Sequence, residues 1–191
     1  MKYYQDLRLN ENQFKNMIGH KFIKYRCDPF IFTNTVTAII GIYIDNTIYQ
    51  IKNELKPIQY FDTIDDVAIW NINKVNESDI HSHFEDTQQI DTPVDEIINK
   101  ITLVNEHQTV EINHVKFEML ITRSIVFHLK TRDIYFEKDT TSFSEEIEIK
   151  RGHNLINEYP KTNDYFLNEW VEGIIPTVKT YFVSIQWLFT S

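Results

Sequence analysis

Cysteine is almost missing from this chain: Cys27 is the single one in 191 residues. One thiol can build neither an intrachain disulfide framework nor a cysteine-based zinc knuckle. Any core must therefore hold by packing alone, and Cys27 is expected to be a core or strand thiol. Glycine is also scarce, four residues in all, roughly a third of ordinary usage. Neither GxGxxG nor GxxxxGK[ST] spacing occurs, which removes glycine-rich phosphate loops and dinucleotide fingerprints. No apolar run nears the roughly 18 uninterrupted residues of a membrane-spanning helix. The most apolar region, residues 170–189, is broken by Glu172, Gly173, Pro176, Lys179 and Gln186. The opening MKYYQDLRLNENQ lacks the apolar centre of a secretory leader, so a cytoplasmic location with no membrane contact is expected. Cations are in deficit, 19 Lys and Arg against 28 Asp and Glu for a net charge of −9. That balance opposes a nucleic-acid-binding surface, because neutralising phosphates requires clustered Lys and Arg.

What is present is apolar β-pattern. Apolar residues make up 42% and aromatics 14% of the chain, enough to offset the entropy of ordering a single domain over residues 1–191. Residues 37–51, TAIIGIYIDNTIYQI, read as a hairpin with turn chemistry at Asp45-Asn46, and Pro57 reads as its end. Val67, Ile69 and Ile72 mark another strand. Val110 and Ile112, then Val115 to Ile121, alternate on either side of a turn at Asn113-His114. Residues 125–130 and 134–137 read as a second hairpin, Ile147 and Ile149 as a further strand. Tyr181, Val183, Ile185, Trp187 and Phe189 share one face of a last one.

Three helices are expected. Asn10 and Gln13 form a capping-box pattern ahead of Phe14, Met17 and Ile18, with Gly19 as the stop. Thr92-Pro93 supplies an N-cap and a first-turn proline for a helix over residues 93–106. There Val94, Ile97, Ile98 and Ile101 fall at i, i+3, i+4, i+7, and Asp95 and Glu96 sit in the first turn. Asn163-Asp164 caps a short helix carrying Phe166 and Trp170.

Setting residues 40–52 against 126–138, at a constant offset of 86, pairs Ile48-Tyr49 with Ile134-Tyr135 and Lys52 with Lys138. Flanking segments match in the same order. An internal repeat of residues 14–75 and 93–155 follows as an expectation, with a loop at 76–92 between the halves and a C-terminal helix and strand over 163–189. The expected fold is α+β, mainly antiparallel β, a sandwich or partly open barrel made of two similar β-meander halves with a few short helices.

Charge is concentrated in one window. Residues 75–99 hold Glu77, Asp79, Glu85, Asp86, Asp91, Asp95 and Glu96 and not one Lys or Arg, leaving a net −2 for the remainder. An acidic surface formed by Glu77, Asp79, Glu85, Asp86, Asp91 and Asp95 is suited to steering and capturing a basic protein partner. A non-enzymatic binding protein without cofactor or nucleic acid is therefore the expected function, and an acidic inhibitor of a nuclease-like toxin would be one form of it. A solvated loop explains the same residues.

Two enzymatic alternatives compete. His81, His83, Glu85 and Asp86 offer imidazoles and carboxylates to a divalent metal, as in a metal-dependent hydrolase. Glu148-Ile149-Lys150 with Asp133 or Asp139 before it resembles the PD-(D/E)xK nuclease pattern, which would imply carboxylates on magnesium and a lysine at the attacked phosphate. The pattern's proline is missing here. An amphipathic strand with Glu146, Glu148 and Lys150 on one face and Ile147 and Ile149 on the other gives ExK for its own sake. No GxSxG elbow surrounds any serine. The C-terminal aromatics, among them Tyr159, Tyr165, Phe166, Trp170, Tyr181, Phe182, Trp187 and Phe189, suit a core or an interface.

Overall fold

The computed structural model describes residues 2–30, 33–139, 141–158 and 176–186. In chain order these form β1 (Lys2–Leu7), α1 (Asn12–Lys15), β2 (Lys21–Cys27), β3 (Thr35–Thr37), β4 (Ile39–Ile44), β5 (Thr47–Tyr60), β6 (Thr63–Val75), β7 (Ile90–Ile112), β8 (Val115–Leu129), β9 (Asp133–Lys138), β10 (Glu146–Gly152) and β11 (Thr177–Gln186). Two short 3-10 turns lie at Glu77–Asp79 and Leu155–Glu158. The expected α+β, mainly antiparallel architecture is the one observed. Among the described residues no helix is long and apolar enough to cross a membrane.

All the strands belong to one sheet in the order β3-β10-β9-β8-β7-β2-β4-β5-β6, with β1 parallel to the first half of β8 and β11 antiparallel to β7. β7 is its spine. Residues up to Ile97 pair with β2, and from Ile98 the strand pairs with β8 instead, so two walls share one long strand. The walls meet again at the far side. Ala38, at φ 63°, separates β3 in one wall from β4 in the other. Its N–H donates to the Glu145 carbonyl and its own carbonyl accepts from Asn53. Ala68 N–H donates to the Ser142 carbonyl at 2.8 Å, and Leu55 N–H to Glu145 Oε1 at 3.0 Å. The result is a partly open barrel. Phe22, Tyr25, Ile40, Ile42 and Trp70 of one wall pack in one core with Ile101, Phe127, Phe136 and Ile149 of the other. Phe127 contacts both Phe22 and Phe136 edge-on.

The helix expected over residues 93–106 is instead the middle of β7. Its helical spacing comes from β-bulges. Between Phe22↔Glu96 and Lys24↔Pro93, β7 uses one residue more than β2, with Asp95 at φ 57°. Between Ile98↔Leu129 and Lys100↔His128 it again spends an extra residue. Each bulge shifts the period-2 alternation by one, so core-facing Val94, Ile98 and Ile101 fall four and three apart, while Ile97 points outward. The β-branched run resists helix formation as well.

Pro57 does not end the first hairpin; β5 continues through it to Tyr60, with Pro57 opposite Asp66. Leu55 N–H points away from β6, toward Glu145. Pro57 lies two residues on, so its missing N–H falls on that same side, where no strand is paired.

The expected helix before Gly19 shortens to α1, with Asn10 Oδ1 accepting from Asn12 N–H and Gly19 at φ 80°. Turns form at Asp45-Asn46 and Asn113-His114 as expected, the latter with both residues at positive φ. The helix expected after Asn163 and the end of the last strand, Trp187 and Phe189, lie outside the described residues.

Candidate binding cleft

The acidic window folds into two parts with opposite electrostatics. Its flanks lie beside β2, whose cations Lys21, Lys24 and Arg26 run antiparallel to the start of β7. Lys24 Nζ reaches Asp91 Oδ2 at 2.7 Å and Arg26 Nε reaches Asp91 Oδ1 at 2.6 Å. Arg26 also pairs with Glu77. The guanidinium hydrogen bond holds the Asp91 carboxyl down at about 2, with burial opposing and Lys24 assisting. Both cations lie over the Tyr43 ring, at 4.3 and 5.3 Å from its centroid, and burial pushes the Tyr43 phenol up to about 12.

Lys21 pairs with Asp95 at 2.9 Å, and Arg132 with Glu96 at 2.9 Å. Asp79 turns back on its own 3-10 turn, accepting from Asn76 N–H at 2.9 Å. Of the six residues expected to capture a partner, Glu77, Asp79, Asp91 and Asp95 are thus engaged within the chain. Glu85 and Asp86 are exposed and hold no ion pair among the described residues.

The loop that carries Glu85 and Asp86 is pinned at three places. Ile80 is buried against Gly41, where an added Cβ would stand 2.8 Å from Ile80 Cγ2. Gln50 Nε2 donates to the Asp79 carbonyl at 2.7 Å. Ser82 Oγ donates to Asp28 Oδ2 at 2.8 Å and accepts from Phe84 N–H at 3.0 Å. So held, the loop forms one side of a cleft of about 550 Å³, lined by Asp28, Pro29, Thr33, Thr35, Val36, Thr37, Phe84, Thr87 and Glu146.

Its chemistry is mixed. Phe84, 53% exposed, and Pro29 and Val36 give apolar surface; four threonines give hydroxyls; Asp28 and Glu146 give carboxylates. Among the described residues no Lys, Arg or His lines it. Asp28 is only 6% exposed, and its Oδ1 has no hydrogen-bond partner among the described residues. A desolvated carboxylate oxygen without a donor is costly. Burial drives the neighbouring Cys27 thiol up to about 12, with the Asp28 charge adding to the effect, so this buried sulfur is an unreactive one. Asp28 and Glu146 carry no motif, and neither stands out in the sequence. The one sequence signal for the cleft is the lack of cations around Phe84.

The enzymatic constellations are arranged differently from their sequence patterns. His81 Nδ1 lies 3.1 Å from the Ser82 carbonyl, and the His83 ring stands edge-on to Phe84. Among the described residues no group of three or more His, Cys, Asp and Glu side chains is placed to hold a metal. Lys150 of the ExK stretch lies between Glu148 at 2.9 Å and Glu137 at 3.1 Å. The carboxylate from the neighbouring strand is therefore Glu137, and neither Asp133 nor Asp139 meets Lys150.

Asp133 instead accepts from His128. Asp133 Oδ1, His128 Nδ1, His128 Nε2 and Thr102 Oγ1 form a chain with both contacts at 2.9 Å. Thr102 is fully buried, so its hydroxyl has no route to a substrate, and the chain reads as a satisfied network across β7, β8 and β9. Burial lowers the His128 pKa, with Asp133 opposing and Lys100 assisting. A second buried polar group lies between β6 and β8. Arg123 is the extra residue of a bulge in β8, 3.7 Å from Glu106, and Lys138 donates to the Ala68 carbonyl. Burial pulls Lys138 down to about 7. The space beside it is too small for more than a water.

No protein family, curated protein or solved structure is matched by this chain.

Proposed function

We propose that this protein is a non-enzymatic binding module whose cleft between the end of β2, the edge of β3 and the acidic loop takes a basic segment of a partner protein. The observation that carries the reading is Asp28, a buried carboxylate lining a cavity of ligand size in whose wall, among the described residues, there is no cation. A Lys or Arg side chain entering the cleft pairs with the carboxylates that line it, and a charge-assisted hydrogen bond of this kind is among the stronger polar contacts. Glu146 lies in the wall, and Glu85 and Asp86 follow Phe84 on the exposed loop, adding negative charge beside the cleft. Phe84 and Pro29 receive the apolar part of such a segment. Neighbouring cations do not cancel this field: Lys24 and Arg26 are engaged by Asp91 and Glu77, and Arg151, near enough to act on the Cys27 thiol, does not line the cleft.

The test is fluorescence polarisation with the labelled peptide Lys-Thr-Lys-Val-Lys-Thr-Lys-Val-Lys at low salt. Binding is expected, weakening as salt rises, and absent for the peptide in which every Lys is replaced by Glu. Asp28→Asn with Glu146→Gln keeps the shape of the wall, and the affinity should fall at least about tenfold. Equal affinity for the two peptides, or an undiminished affinity in the double variant, would overturn the reading.

A further inference from the structure

We infer that the basic segment binds as an added β-strand along the open edge of β3; this rests on the cleft reading above and specifies how the cleft is filled. Among the described residues β3 pairs only with β10. Across that ladder Ile149 N–H donates to the Asn34 carbonyl and Ala38 N–H to the Glu145 carbonyl. In an antiparallel pair the residues that exchange hydrogen bonds alternate with those that turn their backbone groups away. Asn34, Val36 and Ala38 therefore face β10, and the N–H and C=O groups of Thr35 and Thr37 face the opposite side. Both threonines line the cleft, and so does Val36, although successive side chains project from opposite faces of a strand. A cavity touching residues of both faces runs along the strand's edge.

The edge, though short, carries neither a charge nor a proline. Exposed edges in proteins usually carry a charge or a proline that discourages a further strand. Among the described edge strands β1 has Lys2 and Asp6, β6 has Asp65, Asp66 and Lys74, and β11 has Lys179. Residues 33–37 read Thr-Asn-Thr-Val-Thr, uncharged and largely β-branched, a composition that accepts a partner strand. The three residues of β3 offer about 10 Å of edge. Thr35 N–H already donates to Thr33 Oγ1 at 3.3 Å, so an extended segment there makes main-chain hydrogen bonds to the Thr35 carbonyl and to the N–H and C=O of Thr37. Its side chains alternate, one row reaching the carboxylates of Asp28 and Glu146, the other lying on Phe84. Strand addition of this kind draws affinity from the backbone and selectivity from alternate side chains.

The experiment uses two forms of the Lys/Thr/Val nonapeptide, one N-methylated at every odd residue and one at every even residue. Only one set of alternate N–H groups can point at β3. One form should therefore lose at least about tenfold in affinity while the other stays within about twofold of the parent peptide. Equal affinities for the two forms would overturn strand addition, and with parent binding intact the basic-segment reading would survive. Absence of binding by the parent peptide removes both. On the protein side, Thr37→Pro deletes a donor on the open side and should weaken the parent peptide about tenfold. The methylated peptides decide the matter without altering the protein, should Thr37→Pro fail to fold.

Discussion

Two sets of carboxylates lie within one acidic region and meet opposite fates. Glu77, Asp91, Asp95 and Glu96 stand against Arg26, Lys24, Lys21 and Arg132, and Asp79 is absorbed by its own turn. Asp28 and Glu146 line a cleft whose wall has no cation among the described residues, and Glu85 and Asp86 are exposed on the loop that brings Phe84 to it. Asp28 and Glu146 lie outside the acidic window altogether. The difference is made by β2: three basic residues on one strand run beside the start of β7 and neutralise the acids that lie there. Charge counted along a chain is therefore a poor guide to the field at its surface. What decides is which strand is the neighbour.

The largest expected effect separates the open set from its support. In Gly41→Val the new side chain would collide with Ile80, whose Cγ2 is 2.8 Å from the Cβ position and which anchors the loop carrying Ser82, Glu85 and Asp86. Gly41 sits in a strand at negative φ, so the cost is steric, about 1–3 kcal/mol of stability by thermal unfolding. Binding of the cationic nonapeptide should be lost with it, because the bond from Ser82 to Asp28 requires the loop in place. Wild-type affinity together with wild-type stability would show that the loop does not form the cleft.

The next effect opens the closed set. In Arg26→Met, Asp91 and Glu77 lose their main partner, and stability at pH 7 should fall by about 1 kcal/mol, a modest figure because both carboxylates are partly exposed and screened. Asp91 has a lowered folded pKa of about 2. Its stabilisation is present above the unfolded value, about 3.9, and is lost as pH falls toward about 2. Urea unfolding of the wild type between pH 5 and 2 should show that loss, and the variant should show a flatter profile over the same range. Parallel profiles would mean that Arg26 does not set the Asp91 pKa.

Much of the fold was legible from apolar alternation. Both hairpin turns, the β8 and β10 strands and the buried thiol of Cys27 follow from period-2 patterning and turn chemistry. β7 was not legible, for a physical reason: its bulges near Asp95 and Asn99 rewrite period 2 as a spacing of four and three, which is what an amphipathic helix presents. Thr92-Pro93 and the acidic pair behind it complete the false signature. Pro57 misled because its tolerance depends on which edge of β5 is unpaired, a tertiary fact. At the site, Glu85 and Asp86 were legible as uncompensated charge. Asp28 and Glu146 were not, since one follows a strand end and the other opens a strand about 60 residues downstream of Phe84, and only closure of the barrel brings them to the same cleft.

The smallest effect tests the open set alone. Glu85 and Asp86 are exposed and make no ion pair among the described residues, so Glu85→Gln with Asp86→Asn removes two charges without breaking a contact. Stability should stay within about 0.5 kcal/mol of wild type. Affinity for the cationic nonapeptide should fall only about two- to fivefold, because exposed charges act through screened, longer-range attraction and govern the rate of encounter more than the bound state. In stopped-flow measurements the loss should therefore appear in the association rate, and it should vanish at high salt. A loss confined to dissociation would place these two carboxylates in direct contact with the peptide and make them part of the cleft wall, leaving Asp28 and Glu146 as only part of the recognition surface.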